Sequence, residues 1–164
     1  MSLALSLKLL HVLVAFWLVS GLLGRTFALG EAARASEITR VRTLVSLAGT
    51  FESRMVIPGS FAILLLGLAT AWAQGLPLFG VFQGARTNWL LLSLVLYVAV
   101  MAQVPLVFIP RGKQFGIALE DASRQGAVTP ALQEAFRDPA VCAARLIELA
   151  AIRLILVMMV LRPF

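Results

Sequence analysis

The chain has 164 residues, of which 60% are apolar and 13% charged, and it carries a formal net charge of +6 with a mean hydropathy of +0.94. A soluble domain is about 45–50% apolar and about a quarter charged, and a chain this short has too little interior to hide such a surplus from water. The basic residues form no continuous block but fall mainly in two segments between apolar runs, a pattern that excludes nucleic-acid binding and fits a protein solvated by lipid.

The first apolar run extends over residues 6–28 and is interrupted by Lys8, His11 and Arg25. At 1.5 Å per residue it is long enough to cross a hydrocarbon core about 30 Å thick. Lys8 ahead of the run and Ala33-Arg34-Ala35 after it have the form of a cleavable signal, but the run is too long for one and three more follow, so it is read as a span. Gly30 is expected to close this helix and Ser36 to cap the next. From Glu37 onward, Ile38, Val41, Leu44, Val45 and Ala48 recur at helical spacing, which predicts an amphipathic helix leading into a second span over 51–73. Pro58 should kink that span, and Gly59 and Gly67 offer surfaces on which another helix can lie close.

Residues 74–88 read as a tight loop, with Gly75-Leu76-Pro77, Gly80, Gly84 and Arg86. The third span, 89–109, contains Tyr97 and Gln103 and should end or bend at Pro105 and Pro110. In the polar segment from Arg111 to Asp138, Thr129-Pro130 and Asp138-Pro139 each place a capping residue before a proline suited to the first helical position. They predict a short surface helix over 130–137 and a fourth span over 139–161. The expected fold is therefore all-α: a single-domain bundle of four transmembrane helices with short amphipathic interfacial helices.

The first and third connections, with their flanks, hold Arg25, Arg34, Arg40, Arg42, Arg54, Arg111, Lys113, Arg124, Arg137 and Arg145, against Lys8, Arg86 and Arg162 on the other side. That bias places both termini outside and the basic connections in the cytoplasm.

Ionisable groups inside a bilayer are costly, so each calls for a role. Arg25, Glu52, Arg54, Gln103, Arg145 and Glu148 fall near the cytoplasmic ends of the four spans, where structural ion pairs and snorkelling side chains account for them, Glu52 pairing with Arg25 or Arg145. In the outer half His11, Tyr97 and Arg153 have similar depths, about 8–12 Å. There His11 could ligate a haem iron as the only imidazole, Arg153 hold a propionate or quinone oxygen, and Tyr97 add a hydrogen bond. The competing account has His11 bonding a neighbouring helix and Arg153 reaching toward water. Cys142, the single cysteine, reads as a small apolar residue at a helix start. The sequence has no phosphate loop, dinucleotide fingerprint, zinc-protease motif or nucleophile elbow.

Leu10-His11-Val12, with Trp17 six and Gly21 ten residues after the histidine, resembles the first helix of bacterial four-helix membrane families, including the copper-resistance D proteins and the haem-linked membrane protoporphyrinogen oxidases. Over nearly its whole length, through Val104-Pro105, Pro110-Arg111 and Met159-Val160-Leu161-Arg162-Pro163, the chain is similar to a bacterial family of predicted integral membrane proteins of unknown function. That resemblance implies four spans and no established activity, and the expected location is a bacterial inner membrane. The leading expectation is a non-enzymatic protein, an accessory or assembly subunit whose partners are lipid and other membrane subunits. The alternative is a redox protein binding haem b or a quinone at His11, Tyr97 and Arg153.

Overall fold

The computed structural model describes residues 3–84 and 88–162. It is all-α, 89% helical, with no strand among the described residues. In order come α1 (Leu3–Arg34), α2 (Ile38–Phe51), a π-helical turn (Glu52–Val56), α3 (Ile57–Ala73), a 3₁₀ turn (Gly80–Gln83), α4 (Trp89–Gln103), a second π turn (Val104–Phe108), α5 (Ile109–Gln125), α6 (Pro130–Phe136) and α7 (Pro139–Leu161). Three helical stretches, Leu3–Arg34, Ile38–Ala73 and Trp89–Gln125, are long and apolar enough to cross a membrane. α7 has 23 residues, and Arg145, Glu148 and Arg153 interrupt its apolar run.

The chain divides into two compact units, Met1–Leu76 with Gly126–Val128, and Pro77–Gln125 with Thr129–Phe164. In the first, α2, the π turn and α3 run antiparallel along α1. The register is set by glycines. A Cβ on Gly21 would stand 2.6 Å from the Met55 Cβ, one on Gly24 2.8 Å from the Phe51 ring, one on Gly59 3.2 Å from the Leu18 Cβ, and one on Gly67 3.1 Å from the His11 Cε1. Helices approach this closely only where side chains are missing, so these glycines serve packing inside the unit. Beyond them, Ala28 and Ala32 of α1 and Ile38, Val41 and Ala48 of α2 are buried, the last three on the stripe expected from spacing.

Gly30 does not close α1. The helix continues to Arg34, and nothing lies within 4 Å of a Cβ at Gly30. Nor does Ser36 cap α2: Glu37 is the N-cap residue, and its side chain makes no capping bond. Intrahelical bonding and α2 beside it outweigh the modest cost of one mid-helix glycine.

Pro58 and Pro110 act alike. Proline has no N–H and its ring collides with the carbonyl one turn back, and in both places the preceding turn widens to give room. The Ile57 N–H donates to the Glu52 carbonyl and the Ile109 N–H to the Val104 carbonyl, each spanning five residues. Pro105 and Pro110 therefore do not end the third helix, which runs on as α5 to Gln125, through the first half of the polar segment from Arg111 to Asp138. The apolar spacing of Phe115, Leu119 and Ala122 carries α5, and Phe115 meets Phe136 of α6 edge to face at 4.9 Å.

Both proline-headed helices start as expected. The Thr129 side chain accepts from the Leu132 N–H, and the Asp138 carboxylate accepts from the Ala140 and Val141 N–H groups. Asp138 also pairs with Arg111 at 2.9 Å. α3 ends in a Schellman turn, with the Gly75 N–H donating to the Trp72 carbonyl and the Leu76 N–H to that of Ala71, for which Gly75 takes a positive φ of 64°. Arg86 of the same loop lies outside the described residues. In the second unit α4 packs on α7, and Arg162, left-handed at φ 47°, sets its guanidinium 5.3 Å from the centre of the Trp89 ring.

Candidate functional site

Arg25, Glu52, Arg54, Gln103, Arg145 and Glu148 lie on or beside the helices that meet the two π turns. In the first unit Arg25, 8% exposed, donates from Nη1 to the Glu52 Oε2 at 2.6 Å. Gly21 and Gly24 bring α1 close enough to the turn for this bond to form. The neighbouring Arg54 is exposed. In the second unit Gln103 is the last residue before its π turn, and its Oε1 is buried with no hydrogen-bond partner among the described residues. Arg145 and Glu148 lie one turn apart on α7, which packs on that π turn and on α4, and Glu148 is 6% exposed.

His11, Tyr97 and Arg153 are split between the units: His11 lies in the first, Tyr97 and Arg153 in the second. The His11 imidazole rests on Gly67, beside the Ile63 carbonyl, with its Nδ1 buried and without a hydrogen-bond partner among the described residues. Three residues past Gly67, the Thr70 hydroxyl is also buried and has no hydrogen-bond partner among the described residues. Thr70 carries no signal in the sequence, because a threonine in an apolar helix normally bonds its own helix backbone, as Thr26 does to the Leu22 carbonyl.

Tyr97 is half-buried on α4. Arg153 is exposed. The buried residues of α7, Ala144, Glu148, Ala151 and Met158, form one stripe. At 100° per residue Arg153 lies half a turn around the helix from them. Tyr97 and Arg153 therefore do not converge on one face of the α4–α7 pair. Arg153 has no hydrogen bond or ion pair to any described residue, and its neighbours on the exposed side are apolar: Leu146 is 69% exposed, Val157 47% and Val160 78%.

No group of three or more His, Cys, Asp or Glu suited to a metal ion occurs among the described residues. Cys142 is free and exposed. A shallow cleft of about 260 Å³ lies where α1 turns into α2, lined by Glu31, Arg34, Ala35, Ser36, Glu37 and Arg40, with an exposed Arg34–Glu31 pair at 3.1 Å.

Residues 5–163 match the family described as Predicted integral membrane protein (DUF2269). The chain belongs to that family. Neither a curated protein nor a solved structure matches it. As a multi-pass integral membrane protein it has lipid for its outer solvent, which explains the exposure of Phe16, Phe27, Phe61, Leu65, Trp72 and Val160 at 63–78%. In water such surfaces would demand burial, whereas lipid tails solvate them at no penalty.

Proposed function

We propose that this protein is a non-enzymatic subunit of a bacterial inner-membrane assembly, with α7 as a fourth span and both termini outside. Arg153 carries this reading. It stands 14 residues after Pro139 and 8 before Leu161, which puts it about 21 Å and about 12 Å from the two ends of the helix. A guanidinium at such depth is retained when something neutralises it, and no described residue of this chain does. The haem or quinone reading draws less support, because Arg153 faces away from the α4-packed stripe and His11 is seated against Gly67.

The test is site-specific photocrosslinking in native membranes from Leu146 and Val157, on the Arg153 face, with Leu65 of α3 as a lipid-facing control. A discrete protein adduct of the same mass is expected from both α7 positions, and lipid adducts alone from Leu65. Lipid adducts at all three positions would overturn the subunit reading. The orientation is tested separately with an impermeant thiol reagent on intact cells: Gly80→Cys should react and Ser123→Cys should not. The reverse pattern would invert the topology.

A further inference from the structure

The α7 face around Arg153 also specifies the chemistry of what covers it, an inference that rests on the subunit reading above. Ala143, Leu146, Ala150, Arg153, Val157 and Val160 follow at intervals of three, four, three, four and three residues, and all are exposed. That is the seam period of two helices packed along their length. Ala143 and Ala150, one heptad apart, lower the surface so that a second backbone can come close, which is how membrane helices associate without a hydrophobic driving force.

Arg153 sits in the middle of this seam. Its Cα–Cβ bond tilts toward the helix N-terminus, away from the nearer end of α7, so the side chain starts in the wrong direction to reach headgroups about 12 Å away. A second copy of this chain does not supply the counter-charge. Of its eight acidic residues only Glu52 and Glu148 lie within the apolar runs 6–28, 51–73, 89–109 and 139–161, Glu52 being held by Arg25 at 2.6 Å and Glu148 being buried. A parallel pair of α7 helices would moreover set one Arg153 against another.

We infer that the α7 seam receives a transmembrane helix of a different polypeptide, carrying a carboxylate level with Arg153. Guanidinium and carboxylate match as two parallel N–H···O bonds, and in hydrocarbon neither group has water as an alternative partner. Lysine, a point charge, keeps the attraction and loses the fork.

The experiment uses the purified full chain in phosphatidylcholine vesicles and synthetic leucine-alanine transmembrane peptides bearing Asp, Asn or Leu at their centre, with binding read by energy transfer. The Asp peptide should bind about tenfold or more tightly than the Leu peptide. Arg153→Leu should abolish that preference, Arg153→Lys should keep part of it, and Leu65→Ala on α3 should leave it intact. Because Arg153 is exposed, the variants should keep the helical circular dichroism and detergent elution of the parent. Equal binding of all three peptides, unchanged in Arg153→Leu, would overturn the charge pairing and leave α7 a helix-docking face. Binding of no peptide, with Arg153-dependent enrichment of added phosphatidylglycerol, would overturn the helix partner in favour of a lipid phosphate. Loss of the subunit reading itself is read from the crosslinking and not from these peptides.

Discussion

The π turns at Glu52–Val56 and Val104–Phe108 both lead into an Ile-Pro step and both close with a bond spanning five residues, yet their surroundings differ. The first is wrapped. Val56 is 8% exposed, α1 presses glycines against Phe51 and Met55, and Arg25 holds Glu52. The second has no buried residue, and Leu106 and Ile109 around it are 74% and 51% exposed. The wide turn is thus a local answer to proline, while its rigidity depends on what another helix brings to it. In the first unit that neighbour is built to fit. In the second, α5 leaves the turn with Gly112 and Gly116 facing open space, held by the Arg111–Asp138 pair and the Phe115–Phe136 contact.

The sharpest way to break this contrast is to add side chains at glycines in each region. Gly21→Leu must push α1 off the Met55 Cβ, and a loss of about 2–3 kcal/mol is expected in detergent thermal unfolding, the range of overpacked cores. Gly112→Ala and Gly116→Ala meet nothing, and each should gain about 0.5–1 kcal/mol from helix propensity. A loss at Gly112 comparable to that at Gly21 would show that the second region is packed as tightly as the first.

Ion pairs sharpen the same contrast at smaller scale. Arg25→Leu strands the Glu52 carboxylate beside an apolar helix, and a cost of about 1–3 kcal/mol is expected, moderated by the 38% exposure of the Glu52 side chain. Arg111→Leu breaks a pair whose arginine is 46% exposed and should cost about 0.5 kcal/mol. Asp138→Ala should cost about 1 kcal/mol, more than its arginine partner, because the same carboxylate caps α7. Double-mutant cycles on the two pairs check the ranking, and equal coupling energies would erase the difference between the regions.

Much of the fold was legible because its signals are local. Thr129-Pro130 and Asp138-Pro139 announced helix starts that the structure places at Pro130 and Pro139, since a cap bonds N–H groups only two or three residues away. The stripe Ile38, Val41, Ala48 announced α2 by period alone. Gly30, Ser36 and the prolines of the third span misled for the same reason in reverse. Each is a competent stop or start signal, but helix bonding and a packed neighbour override a single weak residue. α5 was missed because its polar residues hid a stripe as short as Phe115, Leu119 and Ala122.

The sequence by itself determined that this is a helical membrane protein, where most of its helices start, and which charged residues needed an explanation, because length, hydropathy and capping are properties of contiguous chain. Only the tertiary structure decided that Gly21, Gly24, Gly59 and Gly67 pack against one neighbour, that Arg25 is the partner of Glu52 twenty-seven residues away, and that Arg153 lies on the bare side of α7. Those facts depend on which face of one helix meets another. The rotation of a helix about its axis is fixed by contacts between residues distant in sequence, which hydropathy along the chain does not encode.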